Sequence, residues 1–299
     1  MTSGDSITSR ELFIASFAQG RSTKLMARTM PLLVRAMTDV HISPGEALFR
    51  VGDAAESVFF IASGRLDVVK DSRRTAYGER SVLGTSDVLL ERLRTQEAVA
   101  LSPVHALELP AVSWLEILED NTEAAMAAIS GVATNVDTLR RERGPMVQGS
   151  VLDPPTVRIS SPDTLTLVDR IVMLRATRPF HRARIQTLAS LAASADVLEL
   201  APGDTLFSRA ISRRAHAVVA FGEVEATRVE PAHVERFGEG AFVLGPASFV
   251  RRIAFDATAS SRSTVLRLSD EAIFDVNEDH ADLSRSILTW LEEERDELV

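Results

Sequence analysis

The chain has no cysteine, few aromatic residues (5%), almost no lysine and no long apolar run. Without cysteine, structural disulfides, thiolate metal sites and cysteine nucleophiles are excluded. No apolar run reaches the roughly 18 residues that a membrane-spanning helix needs. Met1–Arg10 is polar and lacks the basic-then-apolar order of a secretory signal. The expected compartment is the cytoplasm, with no membrane partner. The basic residues are nearly all arginine and alanine is frequent, which suggests a GC-rich bacterial genome. They are interspersed with acids in a chain of net charge −9, and Trp290–Val299 is strongly acidic. Nucleic acid is therefore disfavoured as a partner, because duplex binders cluster their Lys and Arg. The six histidines, His41, His105, His181, His216, His233 and His280, are scattered, with no His-x-His pair and no His-Glu-x-x-His. A metal-dependent barrel enzyme of cupin type lacks its ligand spacing here, and no Gly-rich loop ends in Lys-Ser or Lys-Thr. No metal, no cofactor and no catalytic residues are expected.

What is present is a repeat. Ser43–Val69 recurs without a gap at Ala201–Thr227. Pro44 answers to Pro202, Gly45 to Gly203, Leu48 to Leu206, Phe49 to Phe207, Ala62 to Ala220 and Gly64 to Gly222, always 158 positions on. A repeat this long means two copies of one domain rather than a solenoid. The length of 299 residues and a hydrophobic share of 45% suit two domains of about 150 residues, each with an ordinary core.

The first copy opens with helical patterning: Leu12, Phe13 and Phe17, then Leu25, Met26, Leu32, Leu33 and Met37, with Pro31 fit for a first turn. Short strands with turn dipeptides follow: Ala47–Arg50, Val58–Ala62 and Leu66–Lys70, divided by Gly52-Asp53 and Ser63-Gly64. Val99–Leu109 reads as strand, Val112–Leu118 and Glu123–Arg140 as helix. In the last of these, Ala125, Ile129, Val132, Val136 and Leu139 make an a/d seam of about two heptads, either laid on the chain's own barrel or serving a homodimer. Arg143–Thr164, rich in Gly, Pro and Ser, reads as a linker. The second copy repeats the plan, with helices Leu165–Leu174 and Ile185–Ala193, strands from Val197 to Leu268, and a closing helix Ala281–Leu298. The expected domains are 1–143, a linker 144–164, and 165–299.

The glycines Gly45, Gly52, Gly64 and Gly84, with the text from Pro44 to Asp53 and from Val58 to Gly64, resemble the cyclic nucleotide-binding domain family. The resemblance covers about Leu25–Arg143 and again, more weakly, Leu165–Leu298, where Ala210-Ile211 replaces the Gly-Asp turn while Gly222, Gly240 and Gly245 remain. It implies an α+β, mainly β fold: two antiparallel β-roll or jelly-roll barrels of cyclic nucleotide-binding type, each flanked by helices. It also implies a phosphate-binding cassette. There a short helix offers backbone N–H groups to the cyclic phosphate. An Arg neutralises it, a Glu after the cassette Gly accepts from the ribose 2′-hydroxyl, and a small hydroxyl residue assists.

Both cassettes depart from that pattern. In the first, Gly84 is kept, Thr85 replaces the ribose Glu, Ser86 follows, and Arg94 stands at the phosphate Arg. Glu97 takes the hydroxyl position, with Thr95 a substitute two residues earlier. A pocket-facing Glu97 at about 4 Å would repel a phosphate by roughly 4 kcal/mol at an effective dielectric near 20, or would close on Arg94 and fill the anion site itself. Arg94 is read either as a retained phosphate ligand or as an intradomain or surface salt-bridge residue. In the second, aligning Gly245 with Gly84 gives Pro246 the Glu position, Phe255 the Arg position and Thr258 the hydroxyl position. Arg251 and Arg252 fall three or four residues early, and Phe249 and Phe255 read as core. The candidate ligand residues, functional or vestigial, are thus Gly84, Thr85, Ser86, Arg94, Thr95, Gly245, Ser248 and Thr258.

The leading expectation is a non-enzymatic signalling protein with two degenerate domains of this kind, acting through a protein partner. The alternative is a sensor of cyclic AMP, cyclic GMP or another cyclic nucleotide through the first domain only. A transcription regulator of catabolite-activator type is disfavoured, since no segment is left for a helix-turn-helix. A regulatory subunit of a cyclic nucleotide-dependent kinase is suggested by the tandem domains and by Arg73-Arg74-Thr75-Ala76, a basic phosphoacceptor-like stretch, but that stretch falls in an expected turn between strands rather than in an inhibitory N-terminal arm. The partner surfaces expected from patterning are the N-terminal helices, the Ala125–Leu139 seam and the acidic C-terminal helix.

Overall fold

The computed structural model describes residues 34–143, 165–209, 215–228, 233–250 and 254–298. The expected N-terminal helices before residue 34, the linker 144–164, Ala210-Ile211 and the pair Arg251 and Arg252 lie outside the described residues. The chain forms two compact units, Met1–Ala127 with Val299, and Ala128–Leu298. They divide inside a helix, Thr122–Arg143, that the sequence assigns to the first copy.

In the first unit the strands are β1 (Thr38–Ile42), β2 (Ala47–Phe49), β3 (Ser57–Ser63), β4 (Leu66–Lys70), β5 (Arg73–Tyr77), β6 (Val82–Leu83), β7 (Glu97–Ala100) and β8 (Val104–Pro110). They form two antiparallel sheets, in the orders β1-β8-β3-β6 and β2-β7-β4-β5. A short helix α1 (Thr85–Leu89) sits between β6 and β7, and α2 (Ala111–Asp120) and α3 (Thr122–Arg143) follow β8. Strand β3 carries a run of Val58, Phe59, Phe60 and Ile61, all buried. Such a run of branched and aromatic side chains suits a strand covered on both faces.

The second unit opens with the remainder of α3, then α4 (Leu167–Ala176) and α5 (Ile185–Ala193). Its strands are β9 (Asp196–Leu200), β10 (Thr205–Phe207), β11 (Ala215–Phe221), β12 (Val224–Arg228), β13 (His233–Phe237), β14 (Phe255–Ala259) and β15 (Ser263–Ser269). Their orders are β9-β15-β11 and β10-β14-β12-β13, with Phe242 bridging to Val218 where β6 pairs with β3 in the first unit. A 3-10 turn, Gly245–Phe249, replaces α1, and α6 (Asp270–Asp279) and α7 (Asp282–Leu298) close the unit.

The repeat in the sequence is thus a repeat in topology, down to its irregularities. The β3–β8 ladder shifts between Ile61 and Ser63, and β11–β15 between Val219 and Phe221. The β2–β7 ladder shifts between Ala47 and Phe49, and β10–β14 between Thr205 and Phe207. Gly45 N–H donates to Ala100 O at 2.8 Å, and Gly203 N–H to Ala259 O at 2.8 Å. The strands of each unit stay in two open antiparallel sheets among the described residues, so the expected barrels are rolls without a closing ladder.

Gly64 and Gly222 show why the tight turn keeps glycine. Both have positive φ, 92° and 83°. A Cβ at Gly64 would lie 2.3 Å from Pro103 O, and one at Gly222 would lie 2.4 Å from Arg262 O. Each roll has its own core, Phe49, Phe59, Ile61, Leu66 and Val68 in the first and Phe207, Val219, Val224, Phe237 and Phe255 in the second. Burying each such side chain contributes about 1.5–3 kcal/mol relative to exposure.

Two expectations about secondary structure change, and two further elements appear. Arg73–Ala76 lies in β5, an edge strand, rather than in a turn, and the reversal falls one step earlier at Asp71 and Ser72, both with positive φ. Val99–Leu109 is not one strand but two, β7 and β8. Thr38–Ile42, just after the helical pattern ending at Met37, is a strand, and Asp270–Asp279, which carried no expectation, is a helix. The seam on α3 is buried at Ala125, Ile129 and Val136, and α7 buries Trp290, Glu292 and Glu294 among others. Neither stripe is a free partner surface.

Candidate functional site

The first cassette is built by β6, α1 and the segment leading into β7. Gly84 caps α1 with φ 86° and ψ 2°. Thr85, Ser86 and Asp87 are buried in the first turn behind it. Arg94 returns to the same place from the far end of the loop, fixed by two backbone bonds: Arg94 N–H donates to Asp53 O at 2.8 Å, and Gly52 N–H donates to Arg94 O at 2.8 Å.

The Arg94 side chain is 2% exposed. Its Nη1 donates to Gly84 O at 2.8 Å and its Nη2 donates to Ser57 O. The guanidinium carbon lies 4.7 Å from the centre of the Phe49 ring and 6.0 Å from that of Phe59. Its Nε has no hydrogen-bond partner. Burial pulls the Arg94 guanidinium below its ordinary pKa, while the charges of Asp87 and Asp53 work in the opposite direction. Arg94 is therefore no surface salt-bridge residue; it is an interior cation resting on aromatic faces and backbone carbonyls.

The other cassette groups are engaged elsewhere. Thr95 Oγ1 donates to Asp87 Oδ1 at 2.9 Å and accepts from Arg92 Nη2 at 3.2 Å. Arg92 Nε also donates to Asp87 Oδ1, at 2.9 Å. Glu97 does not face the pocket. In β7 the buried residues are Ala98 and Ala100, so Glu97 points to the other side, where its carboxylate lies 3.6 Å from Arg50 Nε. The expected closure of Glu97 on Arg94 does not occur: alternation along β7 turns Glu97 away from buried Ala98 and Ala100, and the Arg94 guanidinium is bonded to Gly84 O and Ser57 O instead.

The second cassette is shifted relative to the sequence alignment. Phe242 bridges Val218 as Val82 pairs with Phe60, which equates Leu244 with Gly84 and Gly245 with Thr85. Leu244 indeed holds the left-handed capping conformation, φ 65° and ψ −8°. Thr258 pairs with Glu225 and Thr205, as Val99 pairs with Asp67 and Ala47. Thr258 therefore corresponds to Val99 and not to a cassette hydroxyl. By the same register Phe255 stands at Gln96 rather than at Arg94, and Asp256 at Glu97. Asp256 lies 3.0 Å from Arg209 Nε, a pairing like that of Glu97 with Arg50. Phe249 and Phe255 are core, 1% and 3% exposed.

Two constellations had no sequence signal. Ser248 Oγ donates to Gly245 O at 2.9 Å and lies 3.0 Å from His216 Nδ1, while His216 Nε2 lies 3.1 Å from Asp270 Oδ1. The order is that of a hydrolytic triad, but Ser248 and His216 are fully buried and Phe249 lies against the imidazole, ring centres 4.3 Å apart. This relay ties the second cassette to the start of α6. His41 and His105, 64 residues apart in sequence, are a cross-strand pair with ring centres 4.6 Å apart, and His105 Nε2 lies 2.7 Å from Asp39 Oδ1. Among the described residues no group of three or more His, Asp or Glu is arranged to hold a metal ion.

Residues 39–121 match the cyclic nucleotide-binding domain family. The first unit therefore contains a cyclic nucleotide-binding domain, and the second repeats its strand order. The chain is also similar to a lysophospholipase of Neurospora crassa, with 24% identity over 127 residues, 40% of this chain and 8% of that protein. It is 21% identical over 145 residues to a lysophospholipase of Chaetomium globosum, 46% of this chain and 10% of that protein. The match thus spans about a tenth or less of these curated relatives. Among solved structures, it is similar to the regulatory subunit of a cAMP-independent protein kinase A from Trypanosoma brucei, with 14% identity, TM-score 0.37, and 90% of this chain covering 86% of that one. No helix among the described residues is long and apolar enough to cross a membrane.

Proposed function

We propose that this chain is a non-enzymatic, cytoplasmic regulatory protein whose two cyclic nucleotide-binding-type units act through a protein partner rather than by taking a nucleotide in the usual way. The observation that carries this is the state of Arg94. Both of its terminal nitrogens are spent on carbonyl oxygens of its own unit, Gly84 O and Ser57 O. Asp87 and Asp53 already supply negative charge beside it. A cyclic phosphate would have to break those bonds and stand near those carboxylates, with no ribose carboxylate to compensate because Thr85 occupies that position. Val51 and Leu93, 64% and 60% exposed, adjoin the two backbone segments joined by the Gly52–Arg94 bond and offer an apolar contact at the cassette mouth.

One observation favours a sensor reading for the first unit: Arg94 Nε is buried without a partner. Calorimetric titration with cyclic AMP, cyclic GMP and cyclic di-GMP, with Arg94→Ala as control, decides between them. Flat traces at millimolar ligand are expected. Saturable binding near one per chain, lost in the variant, would overturn the partner-only reading in favour of the sensor.

A further inference from the structure

The second unit contains a buried arginine outside the cassette altogether. Along β12 the buried positions are Val224, Ala226 and Arg228, so Arg228 lies on the face that packs into the roll. Its guanidinium carbon is 4.2 Å from the centre of the Phe255 ring. Its side chain is 6% exposed. A cation this desolvated requires an anion. Within the same unit, α3 supplies one: Arg228 Nη2 donates to Asp137 Oδ1 at 2.9 Å, and Asp137 is itself 7% exposed on its side chain. Arg141 Nε donates to the other oxygen, Asp137 Oδ2, at 2.9 Å.

The fit is incomplete in an informative way. Both carboxylate oxygens are engaged, yet Arg228 Nε, equally buried, has no partner. A guanidinium binds oxyanions best through two parallel N–H bonds. A carboxylate whose second oxygen is turned to Arg141 supplies only one of them. A tetrahedral oxyanion has oxygens enough to take Nε and Nη2 of Arg228 together and still accept from Arg141.

We propose that the second roll holds a phosphate-type oxyanion site centred on Arg228, and that the Asp137 side chain fills it from within the same unit. An external phosphate, free or esterified, then competes with the end of α3 for Arg228. This site is separate from the cassette, and its test does not depend on whether Arg94 binds anything.

The test titrates the full chain, at constant ionic strength, with inorganic phosphate and in parallel with phenyl phosphate. Wild type, Asp137→Asn, Asp137→Ala and the double variant Asp137→Asn with Arg228→Gln are compared by calorimetry, with circular dichroism to verify folding. The expected result is saturable binding in Asp137→Asn and Asp137→Ala, at least about tenfold tighter than in wild type (a factor of ten being 1.4 kcal/mol), and its loss in the double variant. Binding of either probe supports the site, and which probe binds tells a free-ion site from one for an esterified phosphate. Where Asp137→Ala fails to fold, the shape-conserving Asp137→Asn decides. A folded Asp137→Asn that binds neither probe more tightly than wild type overturns the proposal, as does binding that survives Arg228→Gln.

Discussion

Arg94 and Gly84 are in contact through a bond that leaves no room for a side chain at position 84: Nη1 donates to Gly84 O at 2.8 Å, and a Cβ on Gly84 would lie 2.6 Å from that same nitrogen. The bond makes Arg94 part of the framework of the first unit. Arg94→Ala removes two charge-assisted bonds and leaves two carbonyls to find new partners, so it should destabilise the first unit by about 2–4 kcal/mol. Urea unfolding measures this. A loss below about 1 kcal/mol would mark Arg94 as the equivalent of a surface ion pair.

Glu97 and Arg50 should behave as such a surface pair. They are 39% and 66% exposed on their side chains and 3.6 Å apart. Glu97→Ala is expected to change stability by less than about 1 kcal/mol and to leave nucleotide titrations as they are in wild type. New nucleotide binding in that variant would place Glu97 in the pocket after all.

At Gly64 and Gly222 alanine meets both a left-handed backbone and a carbonyl oxygen closer than 2.5 Å. Each single substitution should cost at least about 1–3 kcal/mol, with a matching drop in the midpoint of its own unit. Equal losses are expected at the two sites because the turns are equivalent. Wild-type stability of either variant would show that the turn can open without strain.

The start of α4 carries an acid-sensitive cap. Thr166 Oγ1 accepts from Asp169 N–H at 3.2 Å, and Asp169 Oδ2 accepts from Thr166 N–H at 2.9 Å. Bonds from Thr166 hold the Asp169 carboxyl below its ordinary value. A depressed carboxyl adds stability above its unfolded pKa, near 4, and loses it as pH falls through the lower folded value. Asp169→Asn should therefore be less stable than wild type at pH 7, with the difference closing in acid. Thr166→Ala should cost about 1 kcal/mol. Melting curves of the three proteins between neutral and acid pH provide the check, and a gap that does not close at low pH would exclude the carboxylate as its source.

The parts of the fold that could be read from the text were those with a strong local signal. The turns at Gly45 and Gly64 and the strands around Val58–Ile61 carry glycine punctuation and unbroken apolar runs. β5 carries neither: as an edge strand its Arg73, Arg74, Thr75 and Ala76 are all exposed, so nothing alternates. The second cassette misled for a different reason. Leu83-Gly84 and Leu244-Gly245 look alike, but the ladder equates Leu244 with Gly84, a non-glycine residue held at φ 65°. Arg94 was visible because the family spacing points to it. Arg228 and Asp137 were not, since their bond joins residues 91 apart and neither belongs to a motif.

The constancy of the 158-residue offset has a practical side. It holds from Ser43 to Val69 and fails only beyond, where four residues separate Arg228 from His233 but two separate Lys70 from Arg73. Strands β1 to β5 have the same lengths as β9 to β13, whereas the connection in the β12–β13 hairpin is longer than that between β4 and β5. That hairpin is the natural place to graft an epitope tag or a fluorescent reporter, turning a difference between the two copies into a handle on one of them.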